Sequence, residues 1–204
     1  MGRLSGKNIL IIIPKDYYNE EELEIPYEIF KSEDAANIII ASGKMKEAVG
    51  VKSGRRMPDR LIVDSMEGIT GDSYVTGGTG TRQIKAVFQG TVVVGGSGAS
   101  KYLWKDKITR LLLVDRYKSE FVVAAIGQGI GCLAEASLVE NLEVPVSESK
   151  AKKPLLKILE EGKALLSDKD VIVHDRLVMG KDASVVEEFA QAVVKEVAKI
   201  TKIR

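Results

Sequence analysis

The chain reads as an α/β fold built on a mostly parallel sheet with helices on both faces, and three observations carry that reading. Short runs of continuous apolar, β-branched residues recur along it, which marks strands buried on both faces rather than one. Segments of helical periodicity separate these runs, the order that a parallel sheet with crossover helices requires. With 204 residues, 45% of them hydrophobic and 29% charged, there is apolar material for one well-buried domain over 1–204.

Taken in order, Lys7–Pro14 (KNILIIIP) is the first strand, bounded by Gly6 and Pro14. A helix opens at Asn19 and runs through Ser32. Leu23, Tyr27 and Phe30 share one stripe, and three glutamates occupy the first turn, where the helix dipole favours negative charge. Asn37–Ser42 (NIIIAS) is a second strand expected to be buried on both faces. Residues 43–90 are punctuated by glycines and Pro58, which predicts short strands and turns with an enlarged β segment near 66–90. Thr91–Val94 is a third buried strand and Ile108–Lys118 a helix; Phe121–Ile126 (FVVAAI) is a fourth strand, running straight into a helix over about 129–138. Lys153–Glu161 is helical, and Val171–Val173 with Leu177–Met179 forms a hairpin turning at Asp175-Arg176. The last helix is expected to start at Ser184, with Glu187 completing a capping box. Its residues Val186, Ala190, Val193, Val197 and Ile200 make one apolar face.

Composition narrows the function classes. Thirty basic against twenty-nine acidic residues leave a net charge of +1, so no nucleic-acid or membrane partner is expected. The apolar runs are too short to cross a bilayer, and Met1–Lys7 lacks the apolar stretch of a signal peptide; the expected compartment is the cytoplasm. One cysteine (Cys132) and one histidine (His174) cannot build a disulfide framework or a Cys/His zinc site within the chain, so no metal is expected; nor is a cofactor. Eight Asn or Gln against thirty-nine Lys or Glu is the bias of proteins from hot environments.

In sheets of this kind, ligands sit outside the carboxyl ends of the strands, which directs attention to 14–22, 95–101 and 127–132. Val122–Ala136 (VVAAIGQGIGCLAEA) has the form of a nucleophile elbow: an apolar strand, a sharp glycine-rich turn, then a helix. Together with KNILIIIPKDYYNEEELEIP at 7–26, VVVGGSGA at 92–99, AAIGQGIGCLAEASLV at 124–139 and VIVHDRLVMG at 171–180, it resembles the ThiJ/PfpI family. These are flavodoxin-like relatives of the glutamine amidotransferase domains, and the matching pieces span nearly the whole chain in the family's order. The resemblance implies a flavodoxin-like three-layer sandwich and a site of three parts. Those parts are a cysteine at the elbow, often followed by histidine; a glutamate four residues before the proline of the first helix; and a glycine N–H directed at an oxyanion. Here the glutamate falls on Glu22, the glycine on Gly96 beside Ser97, the elbow on Gly127 and the following position on Gln128.

That departure at the elbow governs the functional expectation. Glycine has no side chain to form a covalent intermediate, and Gln128 cannot shuttle a proton as histidine can. The family's protease, deglycase and glyoxalase activities are therefore not carried over. Cys132 lies more than a helical turn further on, about 7.5 Å of rise, and reads as a structural residue. Glu22, three residues after Asn19, has two readings that are compatible with each other: a capping partner for the helix, and, favoured by the family position, a pocket carboxylate. Gly95–Gly98 reads either as a backbone cradle for an anion or as the turn that ends a strand. Thr76–Thr81 (TGGTGT) lacks phosphate-loop spacing and reads as a hairpin tip. His174 reads as a surface or hairpin residue, and Arg55-Arg56 is too short a basic run for nucleic acid. The expectation is a homo-oligomer, dimer or higher, that binds a small molecule or anion through Glu22, Gly96, Ser97, Gly127 and Gln128 without covalent catalysis. The alternative is a thiol-independent hydrolase or lyase with Glu22 as general base and the Gly96 N–H stabilising the oxyanion.

Overall fold

The computed structural model describes residues 2–66, 87–146 and 152–201. In chain order its strands are β1 (Asn8–Ile12), β2 (Asn37–Ser42), β3 (Ala48–Val49), β4 (Arg55–Arg56), β5 (Arg60–Leu61), β6 (Gly90–Val93), β7 (Val122–Ile126), β8 (Glu143–Pro145), β9 (Leu165–Ser167), β10 (Val171–His174) and β11 (Leu177–Gly180). The helices are α1 (Glu20–Ser32), α2 (Ser97–Tyr102), α3 (Lys107–Lys118), α4 (Ile130–Glu135), α5 (Lys153–Glu161) and α6 (Val186–Ala198). Seven strands form the central sheet in the order β10-β11-β7-β6-β1-β2-β5. Every neighbouring pair is parallel except the β10–β11 hairpin at one edge.

The continuous apolar runs are explained by the two faces of this sheet. Along β1, Ile9 and Ile11 face one layer while Leu10 and Ile12 face the other, because successive strand residues point to opposite sides. The first layer is α1 and α6, with Leu23, Phe30, Phe189 and Val193 fully buried. The second is α3, α4 and α5, with Leu112, Leu113, Leu133 and Leu159. Each such side chain contributes about 1.5–3 kcal/mol by leaving water. The arrangement is the flavodoxin-like α/β fold expected from the sequence.

Several local expectations are corrected. β2 is buried only in its second half: Asn37 is exposed and Ile38 and Ile39 half-buried, since β5 pairs only with Ala41 and Ser42. The helix expected over 129–138 is shorter. A 3-10 turn spans Gly127–Gly129, α4 follows, and Ser137 at φ +56° closes it. The capping box at Ser184 does not form. Asp182 is the cap instead, its carboxylate accepting the Ser184 N–H (2.8 Å) at a 3-10 turn (Ala183–Val185) that leads into α6. The helix α2 and the parallel pair β8–β9 were not visible as patterns, being short and without clear periodicity. The β segment expected near 66–90 and the glycine-rich stretch 76–81 lie, for residues 67–86, outside the described residues. Among the described residues, no helix is long and apolar enough to cross a membrane.

Candidate functional site

β1 pairs with β2 on one side and β6 on the other, so the chain reverses its direction of travel across the sheet between β1 and β6. The loops leaving the carboxyl ends of these two strands splay apart there and leave a crevice. Asn19 sits above β1 and caps α1, its side-chain oxygen accepting the N–H groups of Glu21 (3.1 Å) and Glu22 (3.3 Å). The cap orients the first turn so that Glu22 turns inward toward the loop after β6.

Glu22 is 3% exposed, and its Oε2 accepts the N–H of Gly95 at 2.8 Å. The Asn19 N–H meanwhile goes to the Gly95 carbonyl (3.2 Å), so the Glu22 carboxyl makes no capping-box bond back to Asn19. Of its two readings, the pocket-facing position is the one the structure contains. Burial pushes the carboxyl from its ordinary 4.5 up to about 8; the Gly95 bond opposes that, and the negative charges of Asp182 and Glu21 add to it. At neutral pH Glu22 therefore keeps its proton. With Oε2 accepting from Gly95, that proton belongs on Oε1, the oxygen nearest Gly127.

Two glycines shape the floor. Gly96 has φ +97°, and a Cβ there would lie 2.4 Å from the Tyr17 carbonyl oxygen, so only glycine allows the loop to lie this close to the β1–α1 connection. Gly127 has φ +55°, and a Cβ on it would fall 2.7 Å from Glu22 Oε1. The space a side chain at the turn would occupy is thus filled by the Glu22 carboxyl. The next residue, Gln128, is fixed by its backbone: the Trp104 indole N–H donates to its carbonyl at 2.7 Å. With its amide turned to the orientation that satisfies both ends, Gln128 donates to the Gly96 carbonyl (3.3 Å) and accepts from Lys152 Nζ (3.2 Å).

Above this floor lies a cavity of about 250 Å³. Glu22, Gly96, Ser97, Gly127 and Gln128 all line it, so the five residues expected to form a binding site share one space. Lys152, Lys181 and Asp182 also line it, with Val51 and Leu155 among the apolar walls. Val51 arrives on the β3–β4 turn, which Glu20 holds against α1 by accepting the N–H groups of Lys52 (2.7 Å) and Gly54 (3.0 Å). Sequence reasoning missed Trp104, Lys152 and Glu20, because each acts through a reach that no local pattern encodes.

The remaining candidates lie elsewhere. Cys132 is 2% exposed in the core between the sheet and the α3–α5 layer, and burial raises its thiol far above the usual range. His174 ends β10, with Nε2 3.1 Å from the Glu143 carbonyl oxygen. Arg55 and Arg56 are engaged by Glu47 (2.9 Å) and Glu24 (3.4 Å). Among the described residues, no group of three or more His, Cys, Asp or Glu is placed to hold a metal ion.

Comparison with known proteins agrees with this architecture. The chain is 25% identical over 195 residues to the Methanocaldococcus jannaschii protein named "Uncharacterized protein MJ0967", covering 96% of this chain and 84% of that one. Among solved structures, the ThiJ/PfpI domain protein of Brachyspira murdochii superposes with a TM-score of 0.77 at 23% identity, over 97% of this chain and 99% of the other. Drosophila melanogaster DJ-1beta gives 0.72 at 17% identity, over 98% and 92%. These two structural likenesses concern the fold. The sequence model of the DJ-1/PfpI family matches residues 7–196, and the chain belongs to that family.

Proposed function

We propose that this protein is a DJ-1/PfpI-family member without the family's thiol chemistry, and that it binds a small molecule or anion in the cavity above Gly127. The observation that supports it most directly is the fit at the turn after β7. Glycine stands where the family resemblance places a nucleophile, and Glu22 Oε1 lies 2.7 Å from where a side-chain carbon would be. Covalent acyl or hemithioacetal chemistry has no atom to start from there. The chain's one thiol, on Cys132, is buried away from the cavity and held protonated.

The test pairs labelling with turnover. Native protein should react slowly with iodoacetamide, and unfolded protein stoichiometrically; methylglyoxal and peptide substrates should not be turned over. Rapid alkylation of native Cys132 that also stopped a measurable activity would overturn the reading.

The second reading is a thiol-independent hydrolase or lyase with Glu22 as general base. What favours it is a carboxyl held near the pH at which acid–base catalysts work best. Turnover abolished by Glu22→Gln would establish it. We also propose that the chain forms a homo-oligomer, for which the exposed Tyr17, Met45, Val51 and Met57 offer apolar area. Sedimentation equilibrium should give at least the dimer mass, and a clean monomer over a wide concentration range would refute it.

A further inference from the structure

We propose that the cavity takes a small aliphatic monocarboxylate, with its charge met by Lys152 and its hydrocarbon body laid against Val51, Val146 and Leu155. The proposal rests on the cavity being a binding site and names the class of ligand it would hold.

The argument is a comparison of the four charged side chains that line the space. Lys181 is neutralised by Asp170, whose Oδ1 lies 2.9 Å from its ammonium. Asp182 is engaged as a cap, its Oδ1 accepting both the N–H (2.8 Å) and the hydroxyl (2.5 Å) of Ser184. Lys152 has no carboxylate partner among the described residues. In the amide orientation that satisfies Gln128, its ammonium rests on the neutral Gln128 oxygen at 3.2 Å, a contact that a carboxylate would outcompete.

Glu22 decides the sign of the whole. The groups facing it are the Gly95 N–H, the negative charges of Asp182 and Glu21, and the two lysines across the cavity. Burial outweighs the rest and leaves the carboxyl neutral at neutral pH. The lining then holds the Lys152 ammonium, unmatched by a carboxylate among the described residues, with the Glu22 hydroxyl and the Gly96 N–H as hydrogen-bond donors, while the Asp182 carboxylate held on Ser184 is the opposing charge. A monoanion seated at Lys152 matches that set, whereas a cation placed there is repelled by the ammonium. The volume of about 250 Å³ suits a molecule of a few carbons. Val146 and Leu155 are buried at 2% and 4% exposure and give its body an apolar wall.

Calorimetric titration of the full chain with isobutyrate and with its neutral isostere isobutyramide, near pH 6.5 and near pH 9, tests the assignment. Isobutyrate should bind at least about tenfold more tightly than the amide at the lower pH. Its affinity should fall by about tenfold at the higher pH, as Glu22 ionises and repels it. Lys152→Gln should erase the preference for the carboxylate. Glu22→Gln should still bind it and lose the pH dependence. Equal affinities for the two probes, binding indifferent to Lys152→Gln, or no binding of isobutyrate would each overturn the inference. Amide binding without isobutyrate binding would leave the cavity a binding site and remove only its anion assignment. Turnover in the earlier assay would instead remove the non-catalytic reading.

Discussion

Glu22→Gln should stabilise the protein, with a gain that grows with pH. The unfolded chain releases the Glu22 proton near 4.5, whereas the folded protein holds it up to about 8. Below the first value both states are protonated and the carboxyl costs nothing extra. Between the two values the folded state binds more protons than the unfolded one, so stability falls as pH rises; above about 8 both are ionised and the loss levels off. Each pH unit of that window corresponds to about 1.4 kcal/mol. Glutamine keeps an oxygen to accept the Gly95 N–H but brings two N–H donors that need partners, which offsets part of the benefit. The expected gain is near zero at about pH 4 and about 2–4 kcal/mol above pH 8. In melting temperature that is roughly 5–15 °C for a chain of this size. Thermal denaturation of both proteins across that pH range measures it. A gain independent of pH would mean that Glu22 is solvated and ionised, and that the cavity floor is not dry.

The same buried carboxyl shows why much of the site was legible in the sequence. Glu22, Gly96 and Gly127 each sit at the carboxyl end of a central strand or in the first turn after it. In a parallel sheet the order of the strands decides which of those ends meet. The apolar runs at β1, β6 and β7 fix the strands, and the residues just after them follow. Lys152 was not legible by that route. It precedes α5, outside the sheet, and reaches the cavity only through a flexible side chain that lands on Gln128. Trp104 was equally silent, since its indole acts on a backbone carbonyl that any residue at 128 would provide. The errors at β2 and Ser184 have a similar origin. A strand's burial depends on how long its neighbour is, and two capping residues two positions apart compete on geometry that sequence does not contain.

Gly127→Cys should fold, at a cost, and should create the more reactive of two thiols. The cost has two sources. A residue with a Cβ at φ +55° is strained, and the new carbon would lie 2.7 Å from Glu22 Oε1, so the carboxyl must shift. Strain of this kind costs about 1–3 kcal/mol, a loss that a protein with roughly 5–15 kcal/mol of stability survives. The introduced thiol would stand where the chain enters the 3-10 turn ahead of α4, within the same cavity floor as the Gly96 N–H. Both favour the thiolate. Glu22 acts in opposite senses on either side of its titration: protonated, it donates a hydrogen bond to the thiolate, and ionised, it repels it. The introduced thiol should therefore ionise below the free value of about 8.5 and lose part of that advantage above about pH 8. Cys132, buried and protonated throughout, provides the internal reference. After mild peroxide treatment, mass spectrometry should place the added oxygen on the peptide carrying position 127 and leave Cys132 untouched, in line with the exposure and thiolate character that govern oxidation. An inert thiol at 127 in a folded protein would show that Glu22 and Gly96 no longer form a polar floor, and that the cavity is a gap between loops.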